Sequence, residues 1–194
     1  MDKTEQRTEQ RKVVSLLVDN QTGVLARVSS LFTRRGFNIE SLTVSATNDP
    51  TISRITVTVY GDENRLNQLL LQTERLEVTR QVFVLDDRTA LQRELLLLKV
   101  AATVVNRAEL REIASIYKAK IIDLSPDSMV FELTGKPDKI DAFLRMFEGY
   151  TILEQCRTGV TAMERGGMHQ RMQKPPQEIR AVQFPLPGTS CPKH

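Results

Sequence analysis

The sequence predicts an α+β protein made of two consecutive βαββαβ units, each an antiparallel sheet with its helices on one face, the ferredoxin-like or split βαβ arrangement. Three observations predict it. Short apolar runs and period-two alternations mark strands, stretches with apolar residues at helical spacing mark helices, and the same order of segments occurs twice across a polar stretch. With 194 residues and 40% hydrophobic content, the chain has enough apolar material for two small cores.

The first unit opens with Val13 to Val18, apolar except for Ser15, as expected of a strand interior to a sheet. A helix follows over Val24 to Arg35, where Val24, Val28, Leu31 and Phe32 share a face and Gly36 stops the last turn. Ile39 to Ser45 reads as the next strand, and Asn48-Asp49-Pro50 as a turn. In Ile52 to Tyr60, Ile55, Val57 and Val59 alternate with Arg54, Thr56, Thr58 and Tyr60, which predicts a strand with one wet face. Asp62 to Leu76 is a second amphipathic helix, with Leu66, Leu69, Leu70 and Leu76 inward, and Val78 to Leu85 closes the unit.

The second unit repeats the order: strand Leu95 to Ala101, helix Arg107 to Tyr117, strand Lys120 to Leu124, turn Ser125-Pro126-Asp127, strand Met129 to Thr134, helix Pro137 to Phe147, strand Thr151 to Thr158. Pro137 starts the last helix, and Ile140, Phe143, Leu144 and Phe147 share one side of it. The expected division is a flexible extension over 1–12, a first domain over 13–86, a linker over 87–93, a second domain over 94–164 and a flexible basic tail over 165–194. Gly166-Gly167 and five prolines between 175 and 192 mark that tail.

The charge sits mostly in the tail. Of a net +3, Arg165, Arg171, Lys174, Arg180 and Lys193 against Glu178 contribute +4, which leaves the remainder of the chain at −1. A near-neutral body argues against nucleic-acid binding, and the Arg54–Tyr60 strand lacks the aromatic platform and basic-glycine-aromatic signature of RNA-recognition modules. Cys156 and Cys191 cannot form a disulfide framework or a zinc spacing, so the chain reads as cytoplasmic. Lys99 interrupts the longest apolar stretch well short of the roughly 18 residues that span a bilayer, so no membrane partner is expected. Met1 to Lys12 has no apolar core and is no signal peptide.

Catalytic groupings are scarce. Both histidines, His169 and His194, lie in the tail, so the body can form neither a Ser-His-Asp nor a Cys-His arrangement. Asp49, Asp62, Glu63 and Asp138 fall at turns and helix starts, where capping explains them, and Glu40 reads as a solvated carboxylate at a strand end. No glycine is followed by Lys-Ser or Lys-Thr, which excludes a Walker loop. No metal is expected on this chain.

What remains is a pair of turns around the first helix. Asn20 and Gly23 precede it, with Val24 and Leu25 supplying its first amides, and Asn38 and Ile39 follow it. Gly23 admits a ligand to the backbone, free amides at a helix start suit a carboxylate, and the asparagines offer acceptors to an ammonium group. These features suit a small amino acid. They leave open whether the sensor serves a dedicated enzyme or acts alone on another enzyme or a transcription factor.

Gly36-Phe37-Asn38-Ile39-Glu40-Ser41-Leu42-Thr43-Val44, then Asp49-Pro50 and Ser53-Arg54-Ile55-Thr56, resemble an ACT domain, and more narrowly the small regulatory subunits of acetolactate synthase (acetohydroxyacid synthase). Arg93-Glu94-Leu95 leading into Leu98-Lys99-Val100 carries the same resemblance into the second unit. The resemblance, which runs from about Lys12 to Arg165, implies a separate catalytic subunit carrying thiamine diphosphate, magnesium and FAD, with no cofactor on this chain. It also implies activation of that partner and feedback inhibition, usually by valine, in branched-chain amino acid synthesis. ACT domains of this kind pair edge to edge as homodimers. The effector would lie between Asn20, Gly23, Val24 and Leu25 of one chain and Asn38 and Ile39 of the other. Thr22, Ser30 and Ser45-Ala46 depart from the family's usual proline, glycine and Gly-Pro.

Overall fold

The computed structural model describes residues 10–86 and 88–166. Most of the expected extension and tail, with both histidines and Cys191, lies outside the described residues. The first sheet comprises β1 (Gln10–Asp19), β2 (Ile39–Ala46), β3 (Ile52–Gly61) and β4 (Thr79–Leu85) in the order β2-β3-β1-β4, with every pairing antiparallel. The apolar run places β1 at the centre, as its pattern requires. Helices α1 (Val24–Arg34) and α2 (Glu63–Glu74) cover one face, and Val14, Leu16, Val28, Phe32, Val57 and Leu69 form the core between. Asp62 caps α2 by accepting from the amides of Asn64 and Arg65.

The second sheet contains β5 (Ala90–Ala101), β6 (Lys120–Leu124), β7 (Ser128–Gly135) and β8 (Ile152–Arg157) in the order β6-β7-β5-β8. Its helices, α3 (Arg107–Tyr117) and α4 (Pro137–Arg145), enclose a core of Leu96, Leu98, Leu110, Phe131, Phe143 and Phe147. The two-unit α+β architecture is therefore as the periodicities predict.

Two expectations are corrected. The polar stretch expected to link the units enters β5 at Ala90, because Ala90–Arg93 finds backbone partners in a further strand, β9 (Thr161–Glu164). The side of β3 expected to be wet is dry at its centre, where Thr56 and Thr58 are buried, as is Ser15 beside them, while Arg54 is half-buried and Tyr60 is exposed as expected. The β5/β9 ribbon and the 158–160 segment lie against that side, forming a small third core from Val13, Leu85, Ala90, Val160 and Ala162. The Thr43 hydroxyl donates to the Val160 carbonyl at 2.8 Å, and the Val160 amide donates to Ser41 Oγ at 3.4 Å. Period-two alternation distinguishes the two faces of a strand, but small hydroxyl residues serve equally on a solvated face and in a hydrogen-bonded interface.

Gly159 is central to this contact. Its φ of +79° lies in the left-handed region, and a Cβ there would come within 2.8 Å of Ser41 Cβ. Gly159→Ala is expected to cost about 2–3 kcal/mol from backbone strain and overpacking together, read as a lower urea midpoint. A midpoint equal to that of the unsubstituted chain would contradict this packing.

Candidate functional site

The turn from β1 into α1 is tied down from behind and open in front. The Asn20 amide donates to the Thr51 carbonyl at 2.7 Å and its side-chain Nδ2 to the Pro50 carbonyl at 2.9 Å, which fixes this turn against the β2–β3 turn. In that second turn the Thr51 hydroxyl and amide both donate to Asp49 Oδ1, at 2.7 and 2.8 Å, and hold the Asp49 carboxyl below its ordinary value. The stabilisation from this pairing is present above the ordinary carboxylate range and is lost as pH falls through the lowered value. Asp49 is a turn residue, as its position predicts.

Gly23 occupies the N-cap position of α1 with φ +84°, and a Cβ there would meet nothing within 4 Å. Among the described residues no side chain caps this helix start, in contrast to α2. The backbone therefore presents the positive end of the helix dipole beside open space. Val24 is a core residue whose side chain faces inward and whose amide donates to the Gln21 carbonyl at 3.4 Å, whereas Leu25 is exposed. Asn20 uses its side-chain nitrogen to hold the turn, which leaves Oδ1 as its contribution to any ligand.

At the other end of α1, Asn38 is exposed and its carboxamide makes no hydrogen bond among the described residues, while Ile39 packs partly against the core. Within one chain the two groups of residues do not meet, because eleven helical residues, about 16 Å of axis, separate them.

Two neighbouring features were not read from the sequence. Ala26, Ser29, Ser30 and Thr33 form a stripe of small residues on the face of α1 opposite its buried residues, bordering an open trough of about 680 Å³. Their i, i+3, i+4, i+7 spacing was the available signal. Glu40 is an exposed carboxylate at the start of β2, as expected, and in addition Arg11 Nε donates to its Oε2 at 2.8 Å. Among the described residues, no group of three or more His, Cys, Asp or Glu is placed to hold a metal ion. None of their helices is long and apolar enough to cross a membrane.

Comparisons with known proteins agree with this architecture. Residues 14–81 match the family model of the AHAS small subunit-like ACT domain, and residues 93–166 match that of the small subunit of acetolactate synthase. A probable acetolactate synthase small subunit of Archaeoglobus fulgidus is 43% identical over 156 residues, covering 80% of this chain and 98% of that protein. The acetolactate synthase isozyme 3 small subunit of Escherichia coli is 39% identical over 157 residues, covering 80% of this chain and 96% of that one. The crystal structure of an acetolactate synthase small subunit from Thermotoga maritima superposes with a TM-score of 0.76 at 34% identity, covering 81% of this chain and 99% of that one. Two matching family models in tandem, and relatives aligned over nearly their whole length, show that the chain belongs to the acetolactate synthase small-subunit family, the regulatory partners of a catalytic large subunit.

Proposed function

We propose that this chain activates the catalytic large subunit of acetolactate synthase and confers feedback inhibition by valine, in the synthesis of branched-chain amino acids. The effector binds between two copies of the chain: Asn20, Gly23, Val24 and Leu25 come from one, and Asn38 and Ile39 from the other. The observation that carries this reading is the uncapped, sterically open Gly23 turn at one end of α1, with the unpartnered Asn38 carboxamide at the other. A carboxylate suits the former and an ammonium group the latter. The outer edge of β2 is unpaired in the sheet order, and the small-residue stripe on α1 lets a second helix approach closely, which supports a homodimer joined along this side. Thiamine diphosphate, magnesium and FAD belong to the catalytic partner, and this chain performs no turnover of its own.

Calorimetric titration of the full chain with valine, leucine and isoleucine tests the effector. Asn38→Ala removes one hydrogen-bonding group to a charged ligand, and valine binding is expected to weaken by about tenfold. An unchanged isotherm would remove Asn38 from the site.

A further inference from the structure

Glu94, where β5 passes from pairing with β9 to pairing with β7, has a side chain only 2% exposed. A carboxylate so deeply buried requires compensation by positive charge. It comes from both units. Arg157 on β8 donates to Glu94 Oε2, and Arg11 Nη2, on β1 of the first unit, lies 3.9 Å from Glu94 Oε1. Each arginine is also held on its far side, Arg11 by Glu40 at 2.8 Å and Arg157 by Asp141 of α4 at 2.6 Å. Burial alone would lower the Arg157 guanidinium, but its hydrogen bonds to Asp141 and Glu94 outweigh that and its pKa is raised. The result is a row of alternating charges, Glu40–Arg11–Glu94–Arg157–Asp141, running from β2 of the first unit to α4 of the second.

Its near end is placed with consequence. The register between β2 and β3 shifts between Ile39 and Ser41, so Glu40 sits in a β-bulge. A bulge re-aims its side chain, and here the carboxylate turns onto the sheet face that carries Arg11. Glu40 is thus covalently next to Ile39 and two residues from Asn38, the proposed effector contacts, while its carboxylate engages the row. Arg11 is shared between two carboxylates at unequal distance, one on each unit. A small shift of the 38–40 backbone changes how much of Arg11 remains for Glu94.

We propose that the Glu40–Arg11–Glu94–Arg157–Asp141 row couples effector occupancy at the Asn38–Ile39 end of α1 to the second unit, with Arg11 as the shared element. The Thr43 and Ser41 hydrogen bonds to Val160 hold β2 against the second unit, so that displacement at the bulge is transmitted and not absorbed by a gap. Arg11 and Glu94 are positioning residues here and do not touch the effector. The inference rests on the effector reading above, and its test separates the two.

The test uses the full chain with Arg11→Gln, whose side chain is partly exposed and whose loss leaves Glu94 paired with Arg157. Valine binding is measured by calorimetry, and valine inhibition in the complex reconstituted with the large subunit. The expected result is a valine Kd within about twofold of the unsubstituted chain, retained activation, and a fall in maximal inhibition of at least fivefold, within the usual range of coupling between sites. Glu40→Gln, which keeps Arg11 near Glu94, is expected to lower inhibition in the same direction. Full inhibition by both variants would overturn the proposal. So would loss of valine binding by Arg11→Gln, since Arg11 would then support the site itself. Failure of the unsubstituted chain to bind valine would instead overturn the effector reading.

Discussion

Replacing Gly23 with aspartate is expected to abolish valine inhibition of the reconstituted enzyme while leaving activation of the large subunit intact. The argument begins at the backbone. Gly23 has φ +84°, a region costly to most L residues but one that aspartate and asparagine enter more readily than others. Space is not an obstacle, because a Cβ meets nothing within 4 Å. A carboxylate at the start of α1 even complements the helix dipole, so the fold tolerates the change. It then occupies the place proposed for the effector's own carboxylate and repels it. Ordinary coupling between sites, about 1–3 kcal/mol, corresponds to inhibition of several-fold to about a hundredfold, and all of it is at stake. Steady-state rates of the complex across a valine series check this. Gly23→Asn serves as the control, since it has the same backbone demand without the charge and is expected to retain part of the inhibition. Undiminished inhibition by Gly23→Asp would mean that the effector does not use this turn.

The largest effect on stability is expected from Phe147→Ala. Phe147 lies just beyond α4, is fully buried, and meets Phe143 at 4.8 Å, Phe131 at 5.5 Å and Tyr150 at 5.9 Å between ring centroids. Its ring joins the end of α4 to β7 and to the turn before β8. Removal leaves a cavity bounded by three other rings, and such truncations cost about 3–5 kcal/mol, a large share of a small domain's total stability. The β8–β9 segment that follows supplies Val160 to the first sheet, so loosening the second unit also weakens the cover over Thr56 and Thr58. Urea denaturation followed by far-ultraviolet circular dichroism measures the change. A loss below about 1 kcal/mol would show that the aromatic cluster contributes little to holding the unit together.

Much of the fold was legible because local pattern and tertiary role coincide. The apolar run of β1 signals a strand flanked on both sides, and α1 buries Val24, Val28, Leu31 and Phe32 as its spacing predicts. Legibility failed at the junction of the units. β9 is only four residues long, and Ala90–Arg93 carries no strong alternation, so both depend on pairing with each other across some 70 residues of chain. Thr56 and Thr58 misled because a hydroxyl does not reveal whether water or another segment satisfies it. At the candidate site, the turns carrying Gly23 and Asn38 are legible from residue type alone, as a glycine before a helix and an asparagine after one. The ion pair of Glu40 is not, because a bulge leaves no residue-type signature and its partner Arg11 lies 29 positions earlier in the chain.

Crystals of the full chain grown with valine test the central claim most directly. The account predicts one effector molecule at each junction of two copies, its carboxylate on the Gly23–Leu25 amides of one chain and its ammonium group beside Asn38 of the other. Valine bound within a single copy, or a Gly23 turn closed over by the neighbouring chain with no ligand present, would contradict it.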